Sequence, residues 1–174
     1  SGRAKQKRAT VSVFDGKASI ASAGKQVQVP QNFGSSFERA KPPTPPRPLP
    51  PGPQWAASSV SGVVLVPRGQ GVVSASWEAV PKAALYRVEI AKDAGFTDLI
   101  AREEVPSDVR SFRGEKLPPG SYFMRVRVVD TEDFLGLASE VRDFAIVEAQ
   151  PSAGAITGTV IEMSSCGELQ LGAF

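Results

Sequence analysis

Residues 117–130 have the sequence LPPGSYFMRVRVVD, and this stretch decides the fold. After the Pro-Pro-Gly turn, apolar and polar positions alternate. One face of this predicted strand comprises Tyr122, Met124, Val126 and Val128. Arg125 and Arg127 mark the opposite face. A period of two is typical of a half-buried β-strand, so the stretch predicts a strand at the centre of a sheet.

A second stretch, WEAVPKAALYRVEIAKDAGF from Trp77, has the same alternation around Val88. Shorter segments of this kind begin near residues 62, 71, 99, 109 and 140, separated by Gly, Pro and Asp, and residues 130–139 (DTEDFLGLAS) are expected to form a hairpin loop. No window has helical periodicity. About seven short strands in some ninety residues predict an all-β, immunoglobulin-like antiparallel sandwich.

The first part of the chain predicts three further short strands from Thr10 onward. Asp15-Gly16 lies between apolar alternating segments and predicts a hairpin turn, and Ala23-Gly24-Lys25 predicts the next turn. NFGSSF, from Asn32, begins another extended piece. About thirty residues of this kind do not bury a stable core alone. We therefore expect them to pack on missing N-terminal residues or on the domain downstream.

Residues 42–53, PPTPPRPLPPGP, contain eight of the 15 prolines. Such a segment favours polyproline II, which rises about 3.1 Å per residue and would span roughly 37 Å here. We interpret it as a semi-rigid spacer. The alternative is a ligand for proline-binding modules.

The net charge of +2 conceals two oppositely charged parts. Residues 1–50 hold 9 Lys and Arg against 2 Asp and Glu (+7), whereas the remainder holds 11 against 16 (−5). A basic arm of this kind is found in proteins that bind nucleic acid or anionic surfaces. The alternative is a solvated terminus, and since no aromatic residue lies within residues 3–8 (RAKQKR), we expect no nucleic-acid partner.

The chain lacks the residues on which several classes of catalytic and metal-binding chemistry usually depend. The chain has no histidine, hence neither the commonest general base nor the commonest metal ligand. Its single cysteine, Cys166, forms no intrachain disulfide and has no partner that would activate it. No run of about 18 apolar residues is present to span a membrane. We expect no enzyme activity and no cofactor.

The residues from Trp77 through Tyr86 to Phe96, with LPPGSYFMRVRVVD and the Phe144-Ala-Ile segment, resemble a bacterial fibronectin type III-like domain. The stretch VSVFDGKASIASAGKQVQVPQNFGSSFERAKPPTPPRPL, from Val11, resembles the C-terminal end of a FecR-type domain. The resemblance implies the division 1–41 (truncated FecR-like strands with a basic arm), 42–57 (proline-rich linker), 58–148 (sandwich) and 149–174 (tail, with one added strand or the start of a further region). It also implies that the chain is a fragment of a longer protein.

This combination implies a non-enzymatic protein of the periplasm or cell envelope. We expect a structural or binding module that contacts a protein or a cell-wall polymer such as peptidoglycan through sheet edges or loops. A FecR-type signalling protein is one alternative. An accessory carbohydrate-binding module of an enzyme is the other.

Two groups of residues are candidate sites, each with a structural alternative. The predicted binding surface comprises Trp55, Arg87, Phe123, Arg125 and Arg127. A basic and aromatic stripe suits an anionic polymer or a glycan, but cross-strand pairing with Glu89 and docking of Trp55 account for the same residues. Asp130, Glu132 and Asp133 offer oxygens to Ca²⁺, and a solvated acidic loop is the alternative that we favour.

Overall fold

The computed structural model describes residues 8–38, 40–57, 62–66, 71–149, 161–163 and 169–171. These residues form β-strands and no helix. The strands are β1 (Arg8–Val13), β2 (Lys17–Ser22), β3 (Lys25–Pro30), β4 (Phe33–Glu38), β5 (Arg47–Pro48), β6 (Gly62–Val66), β7 (Gly71–Ser76), β8 (Ala83–Ala91), β9 (Leu99–Pro106), β10 (Ser111–Leu117), β11 (Gly120–Asp130), β12 (Leu135–Ala138), β13 (Arg142–Glu148), β14 (Ile161–Met163) and β15 (Leu169–Leu171).

Two sheets form the predicted sandwich. One has the order β6-β13-β11-β8-β9, with β12 also paired to β11, and the other consists of β7 and β10. All of these pairings are antiparallel except that of β6 with β13. Residues just before β6 extend the smaller sheet, since Ala56 N donates to Ser76 O and Glu78 N donates to Gln54 O. The strand order confirms the all-β, immunoglobulin-like sandwich.

Aromatic side chains fill the space between the two sheets. Trp77 is 2% exposed and meets Tyr86 edge to face, with 5.4 Å between ring centroids. Tyr122 stacks on Phe144 at 5.4 Å. Its hydroxyl donates to Pro118 O over 2.8 Å, the tyrosine-corner contact that fixes the turn leading into a central sandwich strand.

The hairpin-loop prediction for residues 130–139 missed one strand. Residues Leu135–Ala138 form β12, which pairs with β11 at Arg127↔Ala138 and Val129↔Leu135. The segment has no alternation of apolar and polar residues, and Gly136 within it is a usual loop signal. Period-two reasoning therefore cannot detect this strand.

The N-terminal unit, residues 8–49, consists of a β1-β4-β5 sheet and a β2-β3 hairpin. Its core is small and centres on Val13, Ile20 and Val29. The predicted turn at Ala23-Gly24-Lys25 is confirmed at its first two residues, which have the positive φ (50° and 72°) that a two-residue hairpin loop requires. Lys25 already belongs to β3.

The hairpin predicted at Asp15-Gly16 is wrong. β1 pairs with β4 over the whole range from Arg8↔Glu38 to Val13↔Phe33. β2 pairs with β3 and not with β1. Residues 14–16 therefore carry the chain from one sheet to the other. β1 also begins at Arg8, before the predicted start at Thr10.

The proline-rich segment is docked against both units, so the interpretation as a spacer is wrong. Arg47–Pro48 pairs with β4, and Leu49 N donates to Asn32 O. Further on, Pro50 O accepts from Leu137 N over 2.9 Å. A polyproline II segment has no internal hydrogen bonds, so its carbonyls are available to neighbouring strands. We call residues 47–56 the strap.

The tail includes an antiparallel pair, β14 with β15, from Ile161↔Leu171 to Met163↔Leu169. Cys166 lies outside the described residues. Within the described ranges, no helix has the length and apolar character needed to cross a membrane.

Candidate functional site

The N-terminal unit meets the sandwich at the loop between β11 and β12. Asp130, 4% exposed, fixes this loop because its Oδ1 accepts the backbone N–H groups of Glu132 and Phe134, both over 2.9 Å. Its Oδ2 pairs with the Arg47 guanidinium of the strap. A buried carboxylate needs such a paired, hydrogen-bonded environment. Asp130 thus joins the loop to the strap.

Further polar contacts surround this ion pair. Glu132 accepts from Arg47 Nη1 over 3.0 Å and from Arg8 Nη2 over 3.3 Å. Thr10 Oγ1 donates to Asp133 O over 2.9 Å. The expectation of a solvated acidic loop fails at Asp130, which is buried, whereas Glu132 and Asp133 are exposed. Arg8 and Arg47 pair with two of the three carboxylates, Asp130 and Glu132. Nor does any group of three or more His, Cys, Asp and Glu residues suited to a metal ion occur in the described ranges.

Two arginine–aromatic contacts cross the junction in opposite directions. The Arg47 guanidinium of the N-terminal unit lies 4.1 Å from the ring centroid of the sandwich's Phe134. The Arg127 guanidinium of the sandwich lies 4.2 Å from the ring centroid of Phe14 in the N-terminal unit. Phe134 is 1% exposed, and a Cβ on Gly34 would lie 2.6 Å from its ring. Phe134 is therefore a fully inserted plug.

On the outer face of the larger sheet, arginines surround one buried carboxylate. Glu89, 3% exposed, lies directly opposite Arg125 and accepts from its Nε over 2.7 Å. Its other oxygen accepts from Arg102 over 3.2 Å, and Arg127 Nε lies 3.9 Å away. The structure thus contains the cross-strand pairing with Glu89 that was the structural alternative to a binding surface. We call Arg87, Glu89, Arg102, Glu104, Arg125 and Arg127 the arginine cluster.

Arg87, like Arg127, is a member of the arginine cluster that reaches the junction. It lies directly opposite Arg127 and pairs with Glu104, with 2.9 Å between Nη2 and Oε1. Burial and the neighbouring charges of Arg125 and Arg87 lower the pKa of Arg127, against the opposing effect of Glu89. Burial is the largest cause of this lowered pKa, and the neighbouring positive charges add to it.

A cleft of about 330 Å³ lies where the N-terminal unit meets the arginine cluster. Its lining comprises Thr10, Ser12, Phe14, Arg87, Val129, Asp133 and Leu135. Residues from both units form it, so the cleft depends on their docking. The volume is within the range of small-molecule and cofactor sites, about 300–1,000 Å³.

The other two residues of the predicted surface differ in position. Trp55 Nε1 donates to Glu140 O over 2.7 Å, and its ring meets Trp77 edge to face at 6.5 Å. Trp55 is thus docked on the sandwich at the end of the strap. Phe123 is half-buried on β11, opposite Ala91 and Asp143, and shares the outer face of this strand with Arg125 and Arg127. The structure therefore places Phe123 and the three predicted arginines on one sheet face and Trp55 elsewhere.

Sequence reasoning did not single out Arg47, Phe14 or Phe134. One signal was available for the first of them. Arg47 is the only charged residue among residues 42–53, and Leu49 is the only aliphatic residue there besides proline. In a free spacer neither side chain would have a role. Nothing in the local pattern distinguishes Phe14 and Phe134 from ordinary strand-end residues.

The chain matches no known family model and no curated protein. Among solved structures it is similar to the fibronectin(III)-like modules of Clostridium thermocellum CbhA, with 11% identity, 56% of this chain, 99% of that chain and a TM-score of 0.40. It is also similar to a Fn3-like protein from Clostridium thermocellum (19% identity, 57% and 95% covered, TM-score 0.38). A β-1,2-glucanase from Parabacteroides distasonis is a third (12% identity, 75% and 16% covered, TM-score 0.40). The fold assignment rests on the strand order and the tyrosine corner.

Proposed function

We propose that the chain is a non-enzymatic structural and binding module of the bacterial cell envelope, and that it contacts a cell-wall polymer. The observation that carries this proposal is the docked junction. A small β-unit with little core of its own is held in one orientation by a strap, a plug and a pair of arginines. Such an arrangement suits a protein that presents a composite surface.

The resemblance of residues 11–49 to the end of a FecR-type domain supports the envelope location. Together with the division 1–41, 42–57, 58–148 and 149–174, it remains a prediction. The docking supports one refinement of that division. Because Gln54 and Ala56 hydrogen-bond to residues beside β7, we propose that the sandwich begins within the strap.

A sedimentation assay with insoluble polymers tests the wall contact. The whole chain is incubated at low salt with peptidoglycan and, in parallel, with cellulose. We expect retention on peptidoglycan and none on cellulose. Retention on neither polymer contradicts the proposal, and retention on cellulose alone favours an accessory carbohydrate-binding module instead.

A further inference from the structure

We propose that the junction cleft binds an oxyanion, a carboxylate or a phosphate group, through the guanidinium of Arg87. This inference rests on the proposed function, since it names the chemical group by which a wall polymer would be held. A carboxylate presents two coplanar oxygens and a tetrahedral phosphate presents pairs of oxygens, and the fork of an arginine can bind either pair through two N–H groups.

Arg87 has donor capacity that the protein leaves unused. Its Nη2 binds Glu104, but its Nε is buried and has no hydrogen-bond partner within the described residues. Buried polar groups are nearly always paired, so an unpaired one needs an explanation. Arg87 lines the cleft, so an acceptor placed there would satisfy Nε once the side chain turns toward the cleft.

The arginine cluster also has excess positive charge. Its four arginines face two carboxylates, Glu89 and Glu104, which leaves 4 − 2 = +2. Arg87 and Arg127 are directly opposite each other on neighbouring strands. Like charges in that position repel. An anion beside Arg87 would reduce this repulsion.

The cleft walls fit an oxyanion carried on a small framework. Ser12 adds a hydroxyl group on one side, while Phe14, Val129 and Leu135 supply apolar surface. The Thr10 hydroxyl also lines the cleft but already donates to Asp133 O. Apolar surface beside a charged hydrogen bond strengthens it relative to bulk water.

Two carboxylates oppose an incoming anion. Asp133 is exposed at the rim of the cleft. Glu104 has a side chain that is 52% exposed, and an ion pair of that kind contributes only about 0–1 kcal/mol. An incoming oxyanion would therefore displace Glu104 from Arg87 at little cost.

Nuclear magnetic resonance titration of the ¹⁵N-labelled chain tests this site, with acetate and inorganic phosphate as separate probes. The arginine Nε–Hε signals report directly on the proposed contact. We expect the Arg87 signal to shift with saturation for one or both anions. The anion that saturates at lower concentration identifies the carboxylate or the phosphate as the preferred group.

Three variants complete the experiment. Arg87→Gln should abolish the saturable shifts of amides around the cleft. Glu104→Gln should tighten binding about two- to fivefold, the equivalent of a lost exposed ion pair. Arg113→Gln is the matched control, because Arg113 is a 67% exposed arginine paired with Glu115 on the opposite sheet. It should leave the titration unchanged.

The proposal is overturned if the Arg87 signal does not saturate with either anion, if Arg87→Gln leaves the shifts intact, or if Glu104→Gln weakens binding. The amide spectrum verifies that each variant is folded, and the gain expected from Glu104→Gln does not depend on Arg87→Gln folding. Saturable anion binding without retention on peptidoglycan would retain the site and reject the wall contact. Retention on peptidoglycan without saturable anion binding would support the wall contact and reject the anion site.

Discussion

Glu89 is the residue on which the outer face of the larger sheet depends. It is almost fully buried and lies between Arg125 and Arg102, with Arg127 just beyond hydrogen-bond distance. Each guanidinium keeps part of its surface in water or over an aromatic ring, whereas the carboxylate does not. Glu89 is therefore the buried counter-charge for the arginines of this face.

Replacing Glu89 tests that dependence. We expect Glu89→Gln to lower the free energy of unfolding by about 3 kcal/mol, because it leaves partly buried arginines without their counter-charge. Glu104→Gln, at an exposed ion pair, should change it by less than about 1 kcal/mol. Urea unfolding of the two variants measures both values. Equal effects would show that Glu89 is no more than a surface partner.

Asp93 gives a pH-dependent prediction. Its carboxylate accepts the N–H groups of Asp98 and Thr97, which hold its pKa below the ordinary value of 3.8 for an aspartate. A lowered folded-state pKa means that the unfolded state binds the proton more readily. The stabilisation is therefore present above about pH 4 and is lost as the pH falls through the folded-state pKa.

Carboxyl-carbon titration by nuclear magnetic resonance measures that pKa directly. Asp93→Ala should remove this contribution, so that the stability difference between wild type and variant shrinks as the pH falls below 3.8. A difference that stays constant from pH 6 to pH 2 would contradict the prediction.

Among the elements, the strap has the least tolerance for added atoms. At Gly52 it passes so close to β12 that a Cβ would lie 2.1 Å from the backbone oxygen of Ala138. That neighbour is backbone and cannot rotate away. We expect Gly52→Ala to displace the strap from β12 and to break the hydrogen bond from Leu137 N to Pro50 O.

Limited proteolysis detects that displacement. The wild-type strap should resist cleavage, and Gly52→Ala should be cut within it several times faster. Gly16→Ala offers a contrast, since no atom lies within 4 Å of its Cβ position, although its φ of 67° strains any replacement. It should loosen only its own turn.

The strands that could be predicted from sequence are those whose two faces differ in environment. β8 and β11 each have one face in the core and one outside, so their alternation is clear. β12 and β5 escaped prediction because neither alternates; their pairing depends on a neighbouring strand. The same reason applies to the site. Arg87, Arg125 and Arg127 were identified from the alternation of β8 and β11, but the cleft needs Phe14, whose approach depends on how two units dock.

For the whole molecule, the division of charge along the sequence has an internal explanation. The N-terminal part carries +7 and the remainder −5. The structure shows Arg8 and Arg47 paired with Asp130 and Glu132 across the junction. Part of the opposite charge of the two parts therefore serves their contact with each other.

Phe134→Ala tests whether the molecule behaves as one body. Removing the plug should cost about 3–5 kcal/mol, as for other buried phenylalanines. The N-terminal unit should then unfold before the sandwich, which splits a single thermal transition into two. Leu65→Ala, at a 55% exposed side chain on β6, should retain one transition. Two transitions in the wild type would contradict the rigid coupling.

The strap also restricts how the protein can diversify. Between Pro48, which pairs with Phe33, and Trp55, which pairs with Trp77, the chain has a fixed number of residues and a contact at each end. Gain or loss of a single codon there would shift one anchor out of register. Recombination that exchanges the sandwich for another would likewise have to supply a loop that matches the one between β11 and β12, which contacts the N-terminal unit. The two units should therefore be inherited together, as a single cassette.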